Sequence, residues 1–417
     1  MLPLYRKIAL RLVPFLMALY FVAFLDRVNI SFAALTMNRD LGIGPTLFGF
    51  TAGVFFFGYF LFELPSNLAL LRFGARRWIM LLMLAWGLVS VATAFVRGPI
   101  AYIVLRFLLG SAEAGFYPGV ILYLTFWLPP AVRSRVMAAF IVAIPLSALV
   151  GSPISAQILL LHHTLGLKGW QWLFILEGSP ALLLGALTWF VLPNSPAEVS
   201  WLTPDEKRIL AGDLAQNAPA HPATKHRFGD LFTAAPQVYG WSFAYFCMAI
   251  GLYGLGFWIP TVLKSHGLAL RTLGWAAAIP YLVAIAGTLA LSASSDHFHE
   301  RRWHLIAAYL IAALGFLIAG LAPNAPVTIL GFSLAATGVL ASMPIFWSAS
   351  TLALAGPLVA AHIAIINSLG NLGGFFGPAL IGWLSHTTHS YFAGLAVIGL
   401  FLAVGAAASA WLARNPA

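Results

Sequence analysis

Six charged side chains lie inside stretches of the sequence that are otherwise apolar. They are Asp26, Arg27, Glu63, Arg106, Glu113 and Glu177. In a membrane span, a charge at the bilayer centre costs about 2.5–3.5 kcal/mol on insertion scales, so each of them needs a reason to be there. All six fall in the first half of the chain, whereas the second half offers amides, hydroxyls and aromatic rings.

Asp26 and Arg27 are neighbours in the chain and could do different chemistry. Successive residues on a helix point about 100° apart, so the two need not pair with each other. The guanidinium of Arg27 could bind a carboxylate ligand, and the neighbouring Asp26 could take up and release a proton. The alternative is a structural network of ion pairs between the first and fourth apolar stretches.

Arg106 and Glu113 are seven residues apart, which places them on one helix face about 10 Å apart along the axis. Small residues flank Glu113, including Gly110 and Gly115. They permit close helix approach, and the resulting burial favours a carboxyl group that can hold a proton. A purely structural role is the alternative. For Glu63 and Glu177 a structural role is favoured, in which each caps or bridges neighbouring helices.

In the second half, Asn367 and Asn371 lie one helical turn apart on a single face, beside several glycines, and Trp347 lies in an earlier apolar stretch. The amides could donate hydrogen bonds to the hydroxyl groups of a small ligand. They could equally hold two helices together in the membrane.

No pattern points to an enzyme, a metal centre or a cofactor. The single cysteine, Cys247, excludes an internal disulfide, and the histidines fall at loops or helix ends without a third ligand in view. There is no phosphate-binding loop and no nucleophile elbow. A passive channel is also disfavoured, since a pore would repeat its charges as a ring.

The composition indicates a membrane protein. Hydrophobic residues make up 61% and charged residues 8% of the 417, against roughly 25% charged in ordinary soluble domains. A helix needs about 20 mostly apolar residues to cross the hydrocarbon core. The chain has room for twelve, between about residues 10 and 413, and no cleavable signal peptide is expected before them. An all-α integral membrane protein in a lipid bilayer is therefore predicted.

The basic residues predict the orientation. With twelve spans and a cytoplasmic start, the inward-facing segments hold 15 of the 22 Lys and Arg residues and the outward-facing gaps hold five. This bias follows the positive-inside rule and places both termini in the cytoplasm. It also accounts for the net charge of +10 without a nucleic-acid partner.

A polar stretch divides the spans into two sets of six. We predict an N-terminal six-helix bundle over residues 1–192, a cytoplasmic linker over 193–229 and a C-terminal bundle over 230–417. The halves share a short repeat, in which an Arg pair follows a Phe in the gap after the second span and again after the eighth. Two parallel six-helix repeats are a plan found among secondary transporters.

Four segments resemble the anion:cation symporter branch of the major facilitator superfamily. They are Leu25–Ser31, Gly58–Asn67, Arg106–Gly115 and Trp172–Gly178. The chain looks most similar to tartrate, hydroxyphenylacetate, phthalate and galactonate permeases. The resemblance implies proton-coupled uptake of a small organic acid by alternating access, in a monomer of the bacterial inner membrane.

The resemblance also implies roles for individual residues. Asp26 and Glu113 fall on proton-coupling acids, Arg27 on the arginine that links substrate to proton, and Arg106 on its charge partner. Substrate-binding positions are Arg27, Tyr59, Trp347, Asn367 and Asn371, the last from its spacing alone. Gating positions are Arg72, Arg76, Arg77, Asp296, Arg301 and Arg302. The first gating signature usually carries an acid where this chain has Leu71, whereas the second copy keeps Asp296. The cytoplasmic gate is therefore expected to depend mainly on the second copy.

Two questions stay open at this point. The alternative function is export of drugs or metabolites by a protein with the same fold. A pocket for hydrophobic cations, however, should be acidic and lack an arginine. Sugar acids, tartrate and aromatic acids would all satisfy one arginine and a few amides.

Overall fold

The computed structural model describes residues 3–216, 236–354 and 359–412; the side chains of 131, 134, 135, 138, 139, 141 and 359–361 and the linker residues 217–229 lie outside the description. The α-helices are α1 (Pro3–Leu41), α2 (Pro45–Phe73), α3 (Ala75–Thr93), α4 (Pro99–Glu113), α5 (Phe116–Thr125), α6 (Pro130–Leu159), α7 (Gly169–Val191), α8 (Pro204–Gln216), α9 (Pro236–Ser265), α10 (Leu270–His297), α11 (Arg302–Leu321), α12 (Ala325–Ala353), α13 (Val359–Asn371), α14 (Gly373–Thr388) and α15 (Tyr391–Leu412).

Twelve helical stretches in the described part of the chain are long and apolar enough to cross a membrane. Helices α4 and α5 together make one of them, and α13 with α14 makes another. The described residues contain no β-strand. The all-α membrane fold predicted from the composition is confirmed.

Local sequence explains where several helices begin and break. Pro45 and Pro99 occupy the first turns of α2 and α4, where a missing N–H costs nothing. Between α4 and α5 the helix breaks at Gly115, three residues before Pro118. A Cβ on Gly115 would lie 1.7 Å from the Ser66 hydroxyl, so glycine lets α2 approach directly beside Glu113.

The two ends of the bundle can be told apart by the linker. We call the end that carries α8 the linker side and the opposite end the far side. Helices α2 and α10 begin on the far side, and α6 and α14 end there. We call α1–α7 the N-terminal half and α9–α15 the C-terminal half.

The halves close on the far side, through backbone contacts between α2 and α14. A Cβ on Gly49 would lie 2.4 Å from the Pro378 carbonyl oxygen, and one on Gly382 would lie 2.4 Å from that of Pro45. The ring of Phe48 packs 5.4 Å from Trp258 of α9. Helices α6 and α10 form a second contact between the halves, where Gly274 of α10 packs closely on the backbone of α6 near Ser152.

On the linker side, α8 is bound to the N-terminal half. Lys7 pairs with Glu206 over 2.8 Å, and the Tyr5 hydroxyl donates to Asp213. The hydrogen bond from Lys7 lowers the pKa of Glu206. The sequence predicts that the first span begins near residue 10, whereas α1 begins at Pro3. The contacts with α8 explain the difference, because the first two turns of α1 dock on the linker helix and need not lie in lipid.

The far-side seam gives a first prediction. Gly49→Trp should open the far side, because α2 and α14 meet there without room for a methyl group. Distances between spin labels at Arg39→Cys and Lys264→Cys, on the far-side ends of α1 and α9, should lengthen relative to the parent. Gly98→Trp is the control, since a side chain at that far-side position meets open space. Unchanged distances in Gly49→Trp would contradict the proposed role of the seam.

Candidate functional site

Helix α1 carries Asp26 and Arg27 at mid-length and turns them to different neighbours, as the helical spacing predicts. Asp26 points into the N-terminal half and is 1% exposed. The Asn29 side-chain amide donates to Asp26 Oδ1 over 3.0 Å, and the Ser90 hydroxyl of α3 donates to the same oxygen. Oδ2 of Asp26 has no partner among the described atoms.

Arg27 forms an ion pair with Glu113. Its Nε donates to Glu113 Oε2 over 2.7 Å, and the two side chains are 13% and 1% exposed. The guanidinium lies 4.9 Å from the ring of Phe24, 5.2 Å from Phe55 and 5.4 Å from Tyr59. Aromatic faces stabilise a cation without competing for its N–H groups, so Arg27 retains donors for another anion.

Arg106 is the second cation, and its surroundings differ. It is 1% exposed, and none of its three guanidinium nitrogens has a hydrogen-bond partner among the described atoms. It lies 5.2 Å from the ring of Phe55, which therefore contacts both guanidinium groups. Arg106 attracts Asp26 and Glu113 electrostatically, without a hydrogen bond to either in the described structure.

A small cavity of about 40 Å³ lies where Arg27 faces the C-terminal half. Its lining comes from both halves: Phe24, Arg27, Val28, Ile144, Ala148, Leu252, Tyr253, Gly256, Phe257 and Tyr281. Most of these residues are apolar. Polar side chains come from the guanidinium of Arg27 and the phenols of Tyr253 and Tyr281. A ligand in this cavity would meet one cation, two hydroxyl groups and a largely apolar wall.

A hydrogen bond joins the halves on the linker side of this cavity. The Asn367 amide of α13 donates to Glu63 Oε1 of α2 over 3.1 Å. The contact continues the seam that α2 forms with α13 and α14, where Gly374 packs on the ring of Phe56. Glu63 therefore bridges helices, as expected of a structural acid, and its partner belongs to the other half.

The predicted site residues are brought together only in part. Arg27, Tyr59 and Arg106 lie around the ring of Phe55. Glu113 joins this cluster through its ion pair with Arg27, and Asp26 joins it through electrostatic attraction to Arg106. Trp347 packs in a separate aromatic group, with ring centroids 5.1 Å from Tyr245 and 5.3 Å from Phe346. No hydrogen bond or ring contact in the described part of the chain links Trp347 or Asn371 to Arg27.

The six predicted gating residues lie on the linker side. Arg76 Nε donates to the Leu192 carbonyl over 2.7 Å and pairs with Glu198 over 3.1 Å. Arg301 pairs with Asp296 over 2.6 Å and donates to Ser348 over 3.1 Å. The remaining three, Arg72, Arg77 and Arg302, lie over aromatic rings of their own half. None of the described contacts of these six residues joins the N-terminal half to the C-terminal half, although Arg76 also contacts Glu198 of the linker.

Sequence reasoning missed several residues of the site. Phe55, Ser90 and Tyr281 carry no pattern that separates them from ordinary residues of an apolar span. Asn29 could have been found, because an amide three residues after Asp26 shares its helix face. The pairing of Arg27 with Glu113 is an ion pair between the first and fourth apolar stretches, which the sequence offers as the alternative to ligand binding.

Comparison with known proteins agrees with this architecture. The family model of the Major Facilitator Superfamily matches residues 16–353 and, in a second match, 241–417. A protein of Agrobacterium vitis named as a tartrate transporter is 47% identical, covering 98% of this chain and 94% of the relative. A metabolite transport protein of Pseudomonas putida is 41% identical, covering 96% and 94%. A quinolone resistance transporter of Acinetobacter baumannii is 36% identical, covering 96% and 92%.

Solved structures share the fold. A bacterial homologue of the human lysosomal transporter Spinster superposes with a TM-score of 0.80 at 17% identity, covering 99% of this chain and 98% of that one. A D-xylose–proton symporter superposes with a TM-score of 0.75 at 18% identity, covering 96% of each chain. With twelve apolar helices and a family match that spans almost its whole length, the chain belongs to the Major Facilitator Superfamily of membrane transporters.

Proposed function

We propose that the chain takes up a small organic anion together with protons by alternating access. The observation that carries the proposal is the Arg27–Glu113 ion pair, whose cation faces the cavity between the halves. A substrate carboxylate and the Glu113 carboxylate compete for the same guanidinium. When Glu113 takes up a proton it releases Arg27, which then binds the substrate anion.

The site suits a small hydroxylated acid. Arg27 holds the carboxylate, while Tyr253 and Tyr281 offer hydroxyl groups in the same cavity. Asn367 offers an amide, once a substrate displaces Glu63 from it. Tyr59, Trp347 and Asn371, which do not line this cavity in the present conformation, complete the proposed binding set. The names of the Agrobacterium and Pseudomonas relatives agree with a metabolite of this class.

Orientation and gating follow from the same proposal. The linker side carries most of the basic residues and is assigned to the cytoplasm of a bacterial inner membrane, with the transporter as a monomer. We assign this conformation to a state that opens toward the cytoplasm, because the halves pack backbone to backbone on the far side, whereas the described contacts of the gating residues do not join the halves. Full opening then requires the Asn367–Glu63 hydrogen bond to break. In the outward-open state, these residues would lock the two halves together on the cytoplasmic side.

Export of a drug or metabolite is the second candidate, favoured by the quinolone resistance transporter at 36% identity. The direction of transport separates the two. Proteoliposomes of defined orientation, given a proton gradient and a panel of labelled organic acids, should accumulate an acid in the uptake direction. Transport of fluoroquinolones and of none of the acids would instead establish the exporter.

Arg27→Lys should weaken substrate binding at least tenfold although the charge is kept. A lysine offers a point charge and cannot reproduce the planar fork that bonds Glu113 and, after its release, the substrate carboxylate. Hydrogen bonds to charged groups contribute about 1.5–3 kcal/mol each. The measurement is the Kd for the transported acid, with Arg39→Lys at the exposed end of α1 as control. Equal affinity in wild type and Arg27→Lys would remove carboxylate recognition from this residue.

Glu113→Gln should abolish proton-driven accumulation and spare substrate exchange. The amide resembles a permanently protonated acid, so the loaded carrier can still change sides but cannot release its proton and return empty. Counterflow and gradient-driven uptake are measured in the same vesicles. Full accumulation by the variant would show that Glu113 does not couple protons, whereas loss of both activities in a folded protein would assign it to binding or gating.

Asn367→Ala should raise the Kd about 2- to 12-fold, the equivalent of one hydrogen bond of about 0.5–1.5 kcal/mol. Glu63→Gln is the matched comparison, because its amide oxygen can still accept from Asn367 and only the charge is lost. Thermal unfolding is measured alongside binding. A variant Asn367→Ala that loses thermal stability and binds normally would make the Asn367–Glu63 bond a structural brace and not part of the binding set.

A further inference from the structure

The cluster around Phe55 contains two acids and two bases, whose charges cancel when all four are ionised. Glu177 is a further buried acid that, among the described residues, has no cation of its own to offset its charge. Asp26 and Glu113 offset Arg27 and Arg106. Glu177 of α7 is 2% exposed and is not used by the mechanism above. An ionised Glu177 would leave the interior of the N-terminal half with an uncompensated negative charge, which a low-dielectric environment strongly disfavours.

The surroundings of Glu177 are polar but uncharged, apart from one acid. From α6 the Ser155 hydroxyl donates to Glu177 Oε1 over 2.7 Å. From α3 the hydroxyl of Ser90 packs against Gly178. From α1 come Asn29 and Asp26, of which Asp26 repels a negative charge on Glu177. Among the described residues, no Lys, Arg or His acts on Glu177 as a counter-charge.

Around the Asn29 side chain, two buried acceptor atoms have no hydrogen-bond donor in the described structure. Its amide nitrogen donates to Asp26 Oδ1, and the same amide interacts with Glu177. The Asn29 carbonyl oxygen and Glu177 Oε2 are both buried acceptors without a partner among the described atoms. Leaving a buried polar atom unsatisfied costs about 1–3 kcal/mol. A proton on Glu177 would remove its uncompensated charge and turn one unpartnered acceptor into a donor, for which the neighbouring Asn29 side chain offers a free acceptor, Oδ1.

We propose that Glu177 is a third proton-binding carboxyl group, coupled to Asp26 through the bridging amide of Asn29. The two acids do not ionise together, because two negative charges would then flank one amide inside the protein. A proton entering or leaving Asp26 therefore changes the proton held by Glu177. That this proton takes part in the transport cycle rests on the proposed function; that the two acids are coupled does not.

The test is infrared spectroscopy of the purified protein in lipid vesicles without substrate, with the C=O band of protonated carboxyl groups followed against pH. Wild type should show a band at neutral pH that Glu177→Gln lacks, and Asp26→Asn should change the pH range over which this band disappears. Thr188→Val, a buried hydroxyl change on the same helix, is the control. A band of unchanged intensity and frequency in Glu177→Gln would overturn the proposal, and so would a Glu177 component of the band that is indifferent to Asp26→Asn.

Ser155→Ala covers the case in which Glu177→Gln fails to fold. It keeps every carboxyl group and removes the hydroxyl that donates to Glu177, so the band should move to higher frequency. A spectrum identical to wild type would overturn the assignment of the band to Glu177. Because no substrate is present, failure of organic-acid transport and failure of this proposal are seen in separate experiments.

Discussion

The ion pair between Arg27 and Glu113 is the interaction on which the rest of the site depends. It joins the middle of α1 to the last turn of α4 and is nearly buried, with a separation of 2.7 Å. Burying two charges costs several kcal/mol each, and their mutual attraction offsets this only when the geometry is good. Such a pair contributes little net stability, yet removing one partner leaves a strongly destabilised charge. This balance is what the proposed exchange of Glu113 for a substrate anion requires.

Helix packing around the pair depends on small residues. Gly110 meets the Phe55 backbone and Gly115 meets the Ser66 side chain without room for a methyl group, so α2 lies directly against α4. This approach places the Phe55 ring 5.2 Å from both guanidinium groups. Glycines also close the far-side seam between α2 and α14. The same helix therefore positions the charges and forms part of the contact between the halves.

The sequence was sufficient for the fold and for the identity of the charged residues, and insufficient for their pairing. Asp26, Arg27, Arg106 and Glu113 stand out because charge is rare in apolar spans. Spacing along one helix shows that Arg106 and Glu113 share a face, but it cannot show that Arg27 of another helix takes Glu113. That choice depends on the rotation of α1 against α4, which is settled by tertiary packing such as that of Arg27 against the ring of Phe55. The bond from Asn367 to Glu63 is likewise a contact between halves, separated by 304 residues.

Charge balance links the geometry of the cluster to the proposed proton coupling. With two acids and two bases, the cluster is neutral when all four are ionised. A monovalent substrate added beside Arg27 makes it negative, and a proton on Glu113 restores neutrality. In a low-dielectric cavity, adding the substrate alone or the proton alone is unfavourable, whereas adding both is favourable. Under the proposed mechanism, this coupling of the two binding free energies is what makes the transporter a symporter.

A membrane potential of 100 mV, negative inside, opposes each entering negative charge by about 2.3 kcal/mol. One proton per monovalent anion only cancels this opposition. A second proton, held by Asp26 together with Glu177, would let the potential itself drive uptake.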